Sequence, residues 1–101
     1  MNEMSKLFNQ ALNVGAYDLG FSIDLYSQEV INNPKNFAAF NNRGVSKFNL
    51  AIEQGNQSLV EDAKNDFVKA IHLANEIDKE GYPIAESNLK WADTVIAEMS
   101  K

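Results

Sequence analysis

The stretch from Phe40 to Ala70 constrains the fold most, because it spaces small and aromatic residues as two closely packed helices require. Gly44 follows Phe40 by four residues, Phe67 follows Ala63 by four, and Ala70 follows Phe67 by three. Small residues let two helix backbones approach, and the aromatics beside them fill the remaining space. The spacing predicts an antiparallel helical hairpin.

Apolar periodicity extends that hairpin in both directions. Met4, Leu7, Phe8, Ala11 and Leu12 recur at steps of three and four, which predicts a first helix stopped near Gly15. After a loop at about 16–20, Ile23, Tyr26 and Val30 predict a second helix running to Asn32, Asn33 and Pro34. Pro supplies no N–H and disfavours helical geometry in the residue before it. Phe37, Phe40, Val45, Phe48, Ala51 and Ile52 carry the third helix as far as Gly55, a residue suited to a left-handed helix end. Ser58 stands three residues before Glu61, the spacing of a capping box at the start of the fourth helix. That helix places Val60, Ala63, Phe67, Ala70, Ile71, Ala74 and Ile77 on one face. Pro83 suits the first position of a fifth helix, with Ile84, Ala85, Asn88, Leu89, Ala92, Val95, Ile96 and Met99 along one side. Trp91 falls at the edge of that stripe, where it is either a core residue or part of an exposed contact site. Five amphipathic helices without strand-like alternation predict a single all-α domain over 1–101.

Composition narrows the function classes. The chain is 45% apolar with two Pro, which is the make-up of a folded domain. A net charge of -5 without any cluster of Lys and Arg argues against nucleic acid or an anionic bilayer as the main partner. Cys is absent, which removes thiolate ligands and nucleophiles. The first eight residues lack the apolar core of a signal peptide, and no apolar run is long enough to span a bilayer. A soluble, cytoplasmic chain is expected, unless it is excised from a longer protein. His72 is the single histidine, one turn from Glu76 and without further ligands at helical spacing, so it reads as a surface residue. Glu76, Asp78 and Glu80 lack the Gly and spaced oxygens of a calcium loop, and no Gly-rich phosphate loop follows a strand. No catalytic, metal or cofactor site is expected, and the chain does not read as an enzyme.

Phe40, Gly44, Ala63, Phe67 and Ala70 together resemble the tetratricopeptide repeat, a helix-turn-helix unit that stacks in arrays. Asn75 stands where the repeat commonly has Pro. An earlier unit closed by Pro34 matches less well, with Ser22 and Glu29 in place of two alanines. Ala63 follows Gly44 by 19 residues, about seven more than the repeat uses, which is about two helical turns. A lengthened helix pair keeps every side chain on its face; a flexible loop is the competing reading, against which the stripe through Phe48, Ala51 and Ile52 argues. The resemblance implies a five-helix antiparallel superhelical array: repeat one over about 3–34, repeat two over about 35–78, and a capping helix over about 83–100.

In the resembled family the first helix of each repeat lines a concave groove that binds proteins or peptides. The resemblance therefore implies a protein-protein interaction module whose groove is lined by Lys6, Gln10, Asn13, Ala38, Asn41, Asn42, Val45 and Asn49. Some members clamp a C-terminal carboxylate, and Asn42 falls on one clamp position with Lys6 and Gln10 as stand-ins for two others. Lys90 is followed four residues later by Thr94 instead of Arg, so the clamp is incomplete. Asn41, Asn42 and Asn49 offer amides to an extended backbone, or are ordinary polar surface. Summed by helix, Lys35, Arg43 and Lys47 against Glu53 give the predicted groove helix a net +2, whereas Asp18, Asp24 and Glu29 give the helix before it -3. The groove is thus expected to be less acidic than the back, a difference that solvation of the outer helices also explains. The alternative function is structural: a homo-oligomer, or part of a longer array, formed through the capping helix and Trp91.

Overall fold

A computed structural model describes residues 18–77 and 81–101, which form four helices and no strand. They are α1 (Leu19–Asn32), α2 (Phe37–Gln54), α3 (Gln57–Ile77) and α4 (Pro83–Met99). The all-α expectation holds for these residues. The helix expected over about 3–15 lies outside them, as do Lys6, Gln10, Asn13, Asp78 and Glu80.

Local chemistry sets each boundary. Asp18 opens α1, its Oδ1 accepting from the Phe21 amide at 3.0 Å, and Asn33, in extended geometry before Pro34, closes it. Asn36 opens α2 by accepting from the Ala39 amide at 3.1 Å. Gly55 ends α2 in the left-handed region at φ 61°, and the Asn56 amide returns to the Ala51 carbonyl at 2.9 Å. The expected capping box at Ser58 is not the one used. Asn56 caps α3, its Oδ1 accepting from the Leu59 amide at 3.1 Å, and Ser58 lies inside the helix. Gly55 turns the chain so sharply that the very next residue reaches the cap position. Pro83 takes the first turn of α4.

Only Gly55 and Asn56 separate α2, of 18 residues, from α3, of 21. The extra residues therefore lengthen both helices, and no long loop is inserted. α2 packs on α1 and on α3, and α4 packs mainly on α3 while touching α2. Gly44 lies in close contact with α3: a Cβ there would stand 2.5 Å from Cε1 of Phe67 and 3.1 Å from the Ala63 carbonyl. Phe67, Phe48, Ala51, Val60, Ala63 and Ala92 form one core cluster. Leu25, Tyr26, Val30, Ala39, Phe40, Ala70, Leu73 and Ala85 form the other, extended by Phe37 and Tyr82, whose rings meet edge to face at 5.2 Å.

Polar side chains are also buried between α1 and α2. Ser22 and Ser46 lie 3.2 Å apart across the contact. Glu29 is 1% exposed; its Oε1 accepts from Asn36 Nδ2 at 3.1 Å and its Oε2 has no hydrogen-bond partner. Both positions that depart from the alanines of the resembled repeat are thus inside the contact, where they hold hydrogen bonds instead of close apolar packing.

Candidate binding groove

Among the described residues, α1, α3 and α4 flank α2 on three sides, and no helix lies on the fourth. Ala39 and Ser46 point towards α1, while Phe40, Gly44 and Ala51 pack towards α3. Asn41 points towards α4 and accepts from Asn88 Nδ2 at 3.1 Å. With about 100° between successive residues, the remaining side carries Ala38, Asn42, Val45, Asn49 and Ile52. Ala38, Asn42 and Val45 are half-buried, and Asn49 and Ile52 are exposed.

α4 contributes the second wall. Its Asp93 flank faces α3, where Lys64 Nζ lies 2.7 Å from Oδ1. Its Asn88 flank faces α2 through Asn41. Ile84 and Trp91, four residues before and three after Asn88, share this second flank and are 63% and 62% exposed. The structure thus resolves the two readings of Trp91 in favour of exposure. Ile84, which periodicity places in the core stripe, is exposed as well, and so is Ile77 at the end of α3. A stripe read from periodicity gives an angular position, but burial at its edges depends on whether a neighbouring helix reaches that far.

The expected site residues therefore divide. Ala38, Asn42, Val45 and Asn49 lie together on the open side of α2. Asn41 is 3% exposed and committed to Asn88 between helices, so it joins the two walls and does not face the groove. Asn42 is half-buried and bonds to the Tyr26 hydroxyl. Ile52, Ile84 and Trp91 belong to the same surface but were read from sequence as core or edge.

The charge expectation also changes. Arg43 sends Nε and Nη2 to the two carboxylate oxygens of Asp66 on α3, at 2.8 and 2.7 Å, and Nη1 to Ser27 on α1 at 3.3 Å. Lys47 lies 3.2 Å from the same carboxylate. Both cations of α2 therefore serve the contact among α1, α2 and α3, and neither makes the groove positive. Glu53, Glu98 and Lys101 are exposed charges at or near the C-terminal ends of α2 and α4.

Two tyrosines border this region. Burial pushes the Tyr26 hydroxyl up from 10.0, partly opposed by its bond to Asn42, and burial pushes Tyr82 up as well. A group whose folded-state pKa is raised supports folding fully below its unfolded value and loses that support as pH climbs through the folded value. Both phenols are expected to ionise above pH 10 when followed by phenolate absorbance, with urea stability declining over the same range. Ionisation of Tyr26 at or below pH 10 would contradict this placement.

His72 is exposed on α3, and among the described residues no three His, Asp or Glu gather as metal ligands. No helix among them is long and apolar enough to cross a membrane. No family model matches the chain, and neither does any curated protein or solved structure with which it was compared.

Proposed function

We propose that this chain is a protein-protein interaction module of tetratricopeptide-like build, which holds a peptide or helix of a partner in the groove between α2 and α4. One observation carries the reading: Trp91 and Ile84, large apolar side chains, stand exposed on the flank of α4 that borders the open side of α2. An exposed aromatic anchor beside Asn side chains is the make-up of a binding surface, with Trp supplying area and Asn supplying orientation. The order of helices, the Gly44–Phe67 contact and the lengthened hairpin support a repeat-like array closed by α4.

Selection of random peptides displayed on phage against the immobilised protein tests the groove. Selected peptides are expected to bind Asn42→Ala and Asn49→Ala variants roughly five- to tenfold more weakly, as expected for losing one hydrogen bond of about 1 kcal/mol. Unchanged affinity in both variants would remove the groove from consideration. The same exposed Trp91 also fits the structural reading, in which a second copy covers it. Light scattering separates the two, because a mass of 11.3 kDa that does not change with concentration excludes a homo-oligomer.

A further inference from the structure

We infer that the occupant of this groove is an amphipathic helix with a basic N-terminal turn, lying antiparallel to α2 and α4. The inference rests on the groove reading above and goes on to specify the partner.

The two walls carry matched rows. Ala38, Val45 and Ile52 follow one another at seven-residue steps on α2, and Ile84, Trp91 and Glu98 do the same on α4. The Asn41–Asn88 bond joins the helices near mid-length, and Val45 and Trp91 follow those two residues by four and three positions. α2 and α4 also point the same way: each lies against α3, and Gln57 at the start of α3 bonds Ser100 at the end of α4 at 3.0 Å. Seven-residue rows on two parallel helices form the seam into which a third helix sets its own apolar side chains at matching steps. An extended strand, with its two-residue side-chain period, does not match them. Each row spans about 21 Å, four helical turns.

Charge fixes the direction. α2 and α4 end at the same edge, and neither has a basic residue in its last turn. That edge carries Glu53, Glu98 and two helix C-termini, each with a partial negative charge of about half a unit, against one helix N-terminus of opposite sign at the start of α3. Lys101 lies 3.1 Å from Glu98, but both side chains are largely in water and screened. A helix entering with its N-terminus at this edge brings the positive end of its own dipole to it, and Lys or Arg in its first turn adds to the attraction. A second copy of this chain would instead bring a net charge of -5 against -5.

Selection from a displayed library of random peptides about 16 residues long, enough for about four helical turns, tests this directly. Enriched peptides are expected to be helical when bound, to repeat apolar residues at three- and four-residue steps, and to carry Lys or Arg in the first turn. Binding should shift the emission of Trp91, the single tryptophan of the chain, to shorter wavelength. Trp91→Ala, a change at an exposed position, should weaken binding at least about tenfold by calorimetry. The Glu53→Lys/Glu98→Lys double variant should weaken the same peptides by about tenfold and lessen their salt dependence. If enriched peptides bind extended, or charge reversal leaves affinity unchanged, the helix inference is overturned while sensitivity to Asn42→Ala keeps the groove. If no peptide is enriched, both fall. A concentration-dependent dimer that buries Trp91 would make a second copy the occupant and overturn the inference as well.

Discussion

Phe67→Ala is expected to cost about 3–5 kcal/mol of folding stability, the loss typical of truncating a buried aromatic. Phe67 is 1% exposed, and its ring lies against the one position of α2 that has no side chain to move into the vacancy. Gly44 and Phe67 are complementary, so the cavity cannot collapse without sliding α2 on α3. A domain of this size is stable by roughly 5–15 kcal/mol, so the variant is left near its threshold. Urea denaturation should show a lower midpoint with an unchanged slope; a loss under about 1.5 kcal/mol would mean that the hairpin is not packed around this ring. Gly44→Ala tests the other side of the contact. The new Cβ would meet the ring at 2.5 Å and the Ala63 carbonyl at 3.1 Å, and overpacking of this kind outweighs the gain in helix propensity of about 1 kcal/mol. Combined with Phe67→Ala, the new methyl occupies vacated space, so the double variant should lose less than the sum of the single ones.

Asp66→Ala is expected to cost about 3 kcal/mol. Its carboxylate receives both Arg43 and Lys47, whose side chains are only 17% and 18% exposed. Removing it leaves two neighbouring cations without a counter-charge, which is the costly way to break a buried pair. Asp66→Asn keeps the shape and one acceptor and should be milder. The Lys64–Asp93 pair provides the contrast. Its side chains are 40% and 53% exposed, and Asp93→Ala is expected to cost less than about 1 kcal/mol. Equal losses at Asp66 and Asp93 in thermal or urea unfolding would contradict the distinction between the two sites.

The four described helices were legible in the sequence because their ends carry punctuation. Pro34 disfavours helical geometry in the residue before it, Gly55 takes a left-handed end at low cost and Pro83 suits a first helical position, and the Gly44, Ala63, Phe67 and Ala70 pattern fixes which faces of α2 and α3 meet. The cap of α3 was less legible, because Asn56 and Ser58 both suit the role and only the tightness of the turn at Gly55 chooses between them. The groove was half legible. Ala38, Asn42, Val45 and Asn49 follow from the angular position of α2, but Asn41 differs from Asn42 by a single 100° step and falls against α4. Trp91 and Ile84 were ambiguous for a different reason: periodicity locates a side chain around its own helix and says nothing about how far the neighbouring helix reaches. Net charge by helix misled in the same way. Arg43 and Lys47 share α2 with the groove residues yet point to α3, and a sum over the helix does not record direction.

The polar bonds between α1 and α2 bear on register. Ala, Leu and Val surfaces alone would let one helix slide a turn along the other at little cost, since apolar contacts lack direction. Ser22 to Ser46, Ser27 to Arg43 and Glu29 to Asn36 are satisfied together in only one alignment. A slip of one turn would break all three at once. These bonds therefore act less as adhesive than as an index mark, and Glu29, with one oxygen left unpaired, shows what maintaining that mark costs in burial.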